Sequence, residues 1–431
     1  MLALGAYVRL LRENRNFRRL WAAQIISEIG DWFYSLAVYS LILELTGSAK
    51  LVGLAVVLQV LPQALASPTA GVVNDRARRQ YVMITADLAR AAIVIGMMFV
   101  RTPAMIWLIY PLLFLETLGW AFFEPGRNAV IPSIVDKEDV ILANTISSTT
   151  WSFSLAIGSS LGGVVAALLG RDAVFVLNAL SFLASAALLS RMRFDEPHAD
   201  SSRPLHARDL IDFSPILEGV RYVRRDPRLM ATLFVKGGLG FLGANLVLLP
   251  LLGQRVFPLH LNGLDEARAA MLGMSLLMGS RGMGALLGPV FSVPWARQRD
   301  EVMRIGILCG FFAIFLGYFA LSKAPFVWIA CLALLLAHGG GSTIWVFSTT
   351  LLHKHTEDRF RGRVFSADLG LNTIMVSITS FLAGTFIDRG VPVRQYALYT
   401  GISLLLPGCV WLTALRLWKR NANNPVLPRG R

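Results

Sequence analysis

Long apolar runs, separated by short stretches rich in charge, proline and glycine, dominate this sequence from residue 17 onward. A helix needs about 20 apolar residues to cross the hydrocarbon core of a bilayer, and the runs reach that length. Of the 431 residues, 55% are hydrophobic and 16% are charged, whereas about 25% of a typical soluble chain is charged. A soluble domain could not bury so much apolar surface. The pattern therefore predicts an all-α membrane protein.

The runs predict twelve membrane-spanning helices. They lie at 17–45, 50–73, 81–101, 104–124, 143–169, 172–192, 228–253, 270–293, 302–322, 325–349, 363–387 and 396–418. With both termini in the cytoplasm, most of the 41 Lys and Arg residues fall on the cytoplasmic side, as the positive-inside rule requires. This topology explains the net charge of +14 without a nucleic-acid partner. We expect a multi-pass protein of the cell inner membrane.

A polar interval at 193–226 divides the predicted spans into two sets of six. We expect a six-helix bundle at 1–192, a cytoplasmic linker at 193–226, a second bundle at 227–420 and a cytoplasmic tail at 421–431. Apolar and charged residues alternate within the linker, which favours a short amphipathic helix on the anionic leaflet; a flexible linker is the alternative. Two parallel six-helix repeats form a known transporter architecture, with the solute site between them near the midplane.

The loop after the second span reads Gly71-Val-Val-Asn-Asp75-Arg76-Ala-Arg78-Arg79. It resembles the Gly-x-x-x-Asp-Arg-x-Gly-Arg-Arg loop of the major facilitator superfamily, with Arg78 in place of the second glycine. We expect Gly71 to allow close helix approach and Asp75 to cap a helix or pair with a cation. The resemblance implies a cytoplasmic latch for the outward-facing state, formed by Gly71, Asp75, Arg76 and Arg79 and completed by Asp87 and Arg90. A plain basic turn is the alternative reading.

The equivalent loop of the second half, at 288–299, keeps its basic residues but has no acidic one, so we expect a single latch. Other segments are Glu124-Pro125-Gly126-Arg127, Leu177-Asn178-Ala179-Leu180 and Arg361-Gly362-Arg363. They resemble the branch of the superfamily that holds bacterial enterobactin-type siderophore exporters and macrolide efflux pumps. This resemblance implies the export of a drug-like compound or a siderophore.

The fifth span contains Ser154-x-x-x-Gly158-Ser159-x-x-Gly162-Gly163, which is similar to the glycine signature of the superfamily's antiporters. Small residues at Gly158, Gly162 and Gly163 let helices touch backbone to backbone. Ser159 stands where the signature has a bending proline, which weakens the indication of antiport. Tight packing without a transport role is the alternative.

Ionisable groups inside spans are costly and mark pathways or partners. On the first span, Gln24, Glu28 and Asp31 follow i, i+4, i+7 spacing and share one face. Glu28 and Asp31 lie roughly 16 and 21 Å along the helix from Phe17, near the bilayer centre. We expect them to carry proton coupling or recognition of a substrate cation, with Arg281 as counter-ion or anion ligand. A static buried ion pair is the alternative.

Further polar and aromatic residues lie on spans that line the cavity in the superfamily. These candidates are Glu116 and Trp120 on the fourth span, Asn245 on the seventh, and His338 and Trp345 on the tenth. We expect Lys236, also on the seventh span, to extend its ammonium group to the cytoplasmic surface.

No phosphate-binding loop, metal-ligand cluster or catalytic constellation is apparent in the sequence. We therefore expect no enzyme activity, no cofactor and no metal. The sequence favours a monomeric secondary transporter that exports an amphipathic small molecule by proton antiport, with membrane lipids around it. A transporter of lysophospholipid or another lipid, and a non-transporting membrane scaffold or sensor, are the alternatives.

Overall fold

A computed structural model describes residues 2–196, 214–261, 265–297 and 299–423 of the chain. All regular secondary structure in these ranges is helical. The helices are α1 (Leu2–Glu13), α2 (Arg15–Thr46), α3 (Ala49–Arg76), α4 (Arg79–Met97), α5 (Ile109–Ile134), α6 (Val140–Leu169), α7 (Arg171–Ser190), α8 (Ser214–Val223), α9 (Pro227–Leu239), α10 (Asn245–Arg255), α11 (Glu266–Ala296), α12 (Asp300–Lys323), α13 (Val327–His355), α14 (Asp358–Asp388), α15 (Val393–Ser403) and α16 (Leu405–Asn423).

Eleven helical segments within the described residues are long and apolar enough to cross a membrane. Two of them combine neighbouring helices: α9 and α10 form Pro227–Arg255, and α15 and α16 form Val393–Trp418. Helix α2 is not among the eleven, although its 32 residues are ample for a span. Glu28 and Asp31 lower its mean hydropathy, so the polar face of α2 sets it apart from the other long helices.

Helix α5 runs ten residues beyond the predicted end of the fourth span at residue 124. Pro125 and Pro132 lie inside it, and each removes a backbone donor from the helix. In membrane helices such gaps are tolerated where neighbouring groups satisfy the loosened carbonyls. The Asn74 amide donates to the Phe122 carbonyl at 3.0 Å, and Arg79 donates to the Ala129 carbonyl at 2.9 Å. The prediction ended the helix too early because it took the first proline as a stop.

The first compact unit comprises Met1–Phe213, Ala244–Gly282 and Ser380–Val393. Helix α2 packs against α6 and α7, while α5 packs against α3 and α4. Two segments of the predicted second bundle thus belong to this unit.

Glycines of α6 allow close helix contacts within the first unit. A Cβ at Gly158 would come within 2.8 Å of Trp32, and one at Gly162 within 2.8 Å of the Phe33 Cα on α2. A Cβ at Gly163 would overlap Ser275 of α11. The Ser275 hydroxyl donates to the Ser160 carbonyl at 2.6 Å. The small residues of the fifth span therefore let α6 contact both α2 and α11 closely.

A carboxylate at the end of α14 caps the start of α3, also within the first unit. Asp388 accepts hydrogen bonds from the Ala49 and Lys50 amides at 2.8 and 3.0 Å and from the Ser48 hydroxyl. The Arg255 guanidinium donates to the Gly47 carbonyl at 2.7 Å. Because the first amides of a helix lack partners within it, this cap satisfies two donors at once.

The second compact unit comprises Ser214–Gly243, Met283–Thr379 and Arg394–Arg431. Within this unit α12 packs on α13, and α9 packs on α13 and α16. After α9 the chain passes through a 3-10 turn, Gly240–Ala244. The Thr379 hydroxyl donates to the Gly240 carbonyl at 2.9 Å, which supplies a partner at the break.

The predicted amphipathic helix is present in part as α8, and residues 197–213 of the linker lie outside the described residues. Tyr222 stacks on Phe360 with ring centroids 4.3 Å apart, and Val223 is fully buried. Glu218 pairs with Arg363 at 2.7 Å. Helix α8 is therefore anchored to the start of α14 by its apolar face and by an ion pair.

Candidate functional site

Arg90 of α4 is the centre of a buried charge cluster in the first unit. Its guanidinium binds both oxygens of Asp31 on α2, at 2.8 and 2.7 Å. Arg90 is 1% exposed. Both hydrogen bonds come from one nitrogen, Nη2, and hydrogen bonds between charged groups are roughly twice as strong as those between neutral groups. The cluster thus ties the third predicted span to the first.

Glu116 of α5 completes the ion pairing of Arg90 from a third helix. It accepts from the Arg90 Nε at 2.9 Å, and its other oxygen accepts from the Tyr34 hydroxyl at 2.7 Å. Gln59 of α3 donates to the same tyrosine oxygen at 3.4 Å. The charge cluster therefore continues into a polar network that reaches four helices.

Asp87 and Phe182 close the other sides of Arg90. An Asp87 oxygen lies 3.7 Å from the guanidinium, and the Phe182 ring centroid of α7 lies 4.1 Å from it. A Cβ at Gly119 would approach the Arg90 Cγ to 2.6 Å. Glycine at this position of α5 leaves the space that the arginine side chain needs.

The cluster holds more acidic than basic groups. Asp31, Glu116 and Asp87 offer three carboxyl groups to one guanidinium. With every carboxyl ionised, two negative charges would stay buried without compensation, and burying an unpaired charge is costly. Protons that bind to the cluster would remove this cost. Asp31 is its most accessible member, with 20% of the side chain exposed against 5% or less for the others.

Glu28 lies one turn before Asp31 on α2 and makes separate contacts. Gln24 donates to a Glu28 oxygen at 2.8 Å and to the Ser147 carbonyl of α6 at 3.0 Å. The other Glu28 oxygen is buried without a hydrogen-bond partner among the described residues. Glu28 therefore contacts Gln24, whereas Asp31 forms an ion pair with Arg90.

Asp31 pairs with Arg90, whereas we expected Arg281 as its counter-ion. The Arg281 guanidinium lies 5.8 Å from the Trp32 ring centroid, and it contacts the Met278 sulfur at 3.8 Å. Arg90 has the position of the counter-ion instead. We expected Arg90 in the latch because Asp87 lies one turn away from it on the same helix. Spacing along one helix does not show which groups approach from other helices.

The residues of the expected latch do not all meet in this structure. Asp75 lies 3.7 Å from Arg79 and its side chain is 78% exposed, while Arg76 is half-buried at the end of α3. A Cβ at Gly71 would meet nothing within 4 Å, so none of the described residues makes the close approach expected there. Asp87 and Arg90 contact each other in the buried cluster.

The remaining candidates lie on α5, α10 and α13. Trp120 of α5 is half-buried, and Asn245 at the start of α10 is 4% exposed. His338 of α13 is buried, with its Nε2 3.5 Å from the Tyr318 hydroxyl.

Lys236 does not extend to the surface, so that prediction is wrong. It is 1% exposed and forms an ion pair with Asp368 of α14. Its ammonium nitrogen lies 4.0 Å from the ring centroid of Trp345. Sequence reasoning missed Asp368, although an acidic residue inside the predicted span 363–387 was the available signal.

These features define a multi-pass membrane protein of the transporter class, with long apolar helices and ionisable groups buried among them. The model of the Major Facilitator Superfamily matches residues 20–369. The chain therefore belongs to the Major Facilitator Superfamily and is a transporter of that family. The resemblance seen in the sequence is confirmed.

Relatives with efflux functions match most of the chain. Macrolide efflux protein A of Streptococcus pyogenes is 24% identical over 400 residues, which cover 90% of this chain and 93% of the relative. The putative bacilysin exporter BacE of Bacillus amyloliquefaciens is 24% identical over 309 residues, which cover 70% of this chain and 73% of the relative.

Solved structures support the fold. The nucleoside transporter NupG is 10% identical with a TM-score of 0.70, and the match covers 94% of this chain and 99% of NupG. A bacterial homologue of the lysosomal transporter Spinster is 16% identical with a TM-score of 0.68, covering 93% of this chain and 96% of that one. At such low identity the likeness concerns the fold alone.

Proposed function

We propose that this transporter exports an amphipathic small molecule, a drug-like compound or a siderophore, in exchange for protons. The observation that carries this proposal is the buried cluster of three carboxyl groups around Arg90. A site with surplus carboxyl groups binds protons when it opens to an acidic side and releases them when it opens to a neutral one.

Asp31 and Glu28 are the groups that we propose to carry coupling. Asp31 joins the cluster but keeps part of its side chain exposed, so protons can reach it. Glu28 has one oxygen without a hydrogen-bond partner among the described residues, which is less costly for a protonated carboxyl than for an ionised one. Protonation of Asp31 would weaken its contact with Arg90. Because Asp31 lies on α2 and Arg90 on α4, the contact between these two helices would weaken as well.

The direction of transport is supported by the relatives, whose names describe macrolide efflux and the export of bacilysin. For this chain, export against a concentration gradient needs an energy source. A proton that moves inward down its gradient supplies that energy.

The arrangement that we propose has twelve spans, with α2 as the first, in two six-helix halves that rock about a central site. Both termini face the cytoplasm, and the protein acts as a monomer in the inner membrane. Gly158, Gly162 and Gly163 maintain helix packing during rocking. The proposed latch of the outward-facing state is formed by Gly71, Asp75, Arg76, Arg79, Asp87 and Arg90. The solute path includes Gln24, Glu116, Trp120, Asn245, Arg281, His338 and Trp345.

Flux in proteoliposomes tests this proposal. The reconstituted chain is offered a panel that contains a macrolide, a catechol siderophore and a dipeptide, with and without a pH gradient. We expect accumulation of at least one solute to depend on the gradient, and Glu28→Gln and Asp31→Asn to abolish that dependence.

Asp172→Asn is the matched control, because Asp172 forms an exposed ion pair with Arg101, and it should transport like the wild type. Flux that ignores the gradient in the wild type would contradict proton coupling. Should phospholipid co-purify and move between leaflets without a gradient, a lipid transporter would be favoured instead.

A further inference from the structure

The second compact unit contains another buried charge site, formed by Lys236, Asp368, Trp345 and Phe365. The Lys236 ammonium pairs with an Asp368 oxygen and lies 4.0 and 5.9 Å from the ring centroids of Trp345 and Phe365. Lys236 and Asp368 are 1% and 3% exposed. Three helices contribute to this site: α9, α13 and α14.

The surroundings of the Lys236 ammonium are those of a cation-binding site. A carboxylate beside two aromatic faces is the arrangement that recognises alkylammonium groups, since rings attract cations through their electron-rich faces. The second oxygen of Asp368 is buried without a hydrogen-bond partner among the described residues. The carboxylate therefore has acceptor capacity that Lys236 does not use.

The site lies at mid-depth along its helices. Lys236 is nine residues from the start of α9, and Trp345 is ten residues from the end of α13. At about 1.5 Å per residue, both lie roughly 14 Å from those helix ends, about half of the hydrocarbon thickness. Trp345 keeps 38% of its surface exposed, so a ligand can reach the ring without unfolding the site.

We propose that Asp368, Trp345 and Phe365 are the binding site for the cationic group of the substrate, and that Lys236 occupies this site as an internal stand-in for it. A substrate with an ammonium group next to an aromatic or apolar body binds when the Lys236 ammonium leaves the carboxylate. The two cations exclude each other, so the lysine keeps the buried carboxylate paired while the site is empty of substrate. The export role of this site rests on the proposed function, whereas the binding of a cation does not.

Equilibrium binding of tetraphenylphosphonium tests the proposal. This ion is a permanent cation with aromatic faces, and the full chain is held in lipid nanodiscs at one pH without a gradient. Removing the internal competitor with Lys236→Met should tighten binding by roughly tenfold or more, which corresponds to at least about 1.4 kcal/mol. Lys236→Arg keeps a cation in place and should bind no tighter than the wild type.

Two further variants show where the ion binds. In the Lys236→Met background, Asp368→Asn should remove saturable binding, and Trp345→Leu should weaken it several-fold. Lys50→Met is the matched control, because Lys50 also lies over an aromatic ring, Phe381, but is exposed; its affinity should equal that of the wild type. The proposal is overturned if Lys236→Met binds no tighter, or if Asp368→Asn leaves its binding intact.

A second measurement tests the proposal if Lys236→Met folds poorly. Lys236→Ala removes three carbons and the ammonium nitrogen and leaves a space of the size of a propylammonium ion. Added propylammonium should therefore raise the melting temperature of this variant but not that of the wild type or of Lys236→Ala/Asp368→Asn. Equal effects on all three would overturn the proposal. Saturable cation binding without proton-driven flux would contradict the proposed function but not this inference. Proton-driven flux with unchanged cation binding in the variants would contradict this inference but not the proposed function.

Discussion

Among the described residues, three carboxyl groups share one cation, Arg90, and this imbalance sets the expected cost of each substitution. Removing one partner of a buried ion pair costs about 3–5 kcal/mol when the other charge is left unpaired. Removing one carboxylate from this cluster leaves the arginine with two others. The guanidinium is therefore harder to replace than any one of its acidic neighbours.

We predict that Arg90→Met lowers the free energy of unfolding by about 3–5 kcal/mol, whereas Glu116→Gln lowers it by about 1 kcal/mol or less. Glutamine keeps an oxygen that can accept from Tyr34, so the network outside the ion pair survives. Unfolding of the purified variants in one detergent measures the difference. Equal losses for the two variants would show that the cluster is not organised around a surplus of acid.

The sequence identified Glu28, Asp31 and Glu116 as buried acidic groups because each interrupts an apolar run. It did not identify their partners. Arg90, Tyr34 and Phe182 meet only when helices separated along the chain pack together, and periodicity within one helix carries no information on such contacts. Asp368 also interrupts a predicted span and could have been identified in the same way, but its pairing with Lys236, 132 residues away along the chain, could not.

At the scale of helices, α6 shows how the spacing of glycines in the sequence leads to close helix packing. The sequence predicted a close contact from small residues, and the structure adds the partners, α2 and α11. The helix positions agree with the predicted spans to within a few residues at most places. Helix α5 is an exception, because Asn74 and Arg79 come from α3 and α4 to satisfy carbonyls near its prolines, and no local rule anticipates that support.

Gly162→Ala and Gly71→Ala provide a matched pair on two helices of the first unit. A methyl group at Gly162 would press on the Phe33 backbone, while one at Gly71 would meet open space. We predict a loss of about 1–3 kcal/mol for the first and a change within about 0.5 kcal/mol for the second, measured by thermal unfolding. A larger loss at Gly71 than at Gly162 would contradict the packing described for α6.

The cap of α3 by Asp388 can be tested by hydrogen exchange. Asp388→Ala removes charge-assisted hydrogen bonds to the Ala49 and Lys50 amides, each worth about 1.5–3 kcal/mol. Peptides that cover residues 46–53 should therefore take up deuterium at least about tenfold faster. Exchange at the start of α7, which Asp388 does not contact, serves as the internal reference. Unchanged uptake at 46–53 would mean that the cap does not hold this helix end in solution.

At the scale of the whole molecule, hydrophobic run lengths alone indicated a polytopic helical protein, since few other structures can bury so much apolar surface. The family was recognisable because short motifs such as the 71–79 loop have fixed spacing. The two compact units were not predictable. Segments such as Ala244–Gly282 belong to the first unit through tertiary contacts, and the repeat in the sequence divides the chain at a different place.

The proposed mechanism makes the Arg90 cluster responsible for the exchange of solute for protons. If that is so, neutralising Asp31 should uncouple the two movements rather than stop solute movement altogether. Exchange of labelled for unlabelled solute across the membrane needs no net proton transfer, so Asp31→Asn should retain it.

The most direct measurement is the number of protons that enter per solute molecule that leaves, followed with a pH-sensitive dye trapped inside solute-loaded proteoliposomes. We predict that the wild type acidifies the interior in proportion to solute efflux. Asp31→Asn should exchange solute with no acidification above that of protein-free vesicles. Acidification per solute molecule equal to that of the wild type in Asp31→Asn would contradict proton coupling through this cluster.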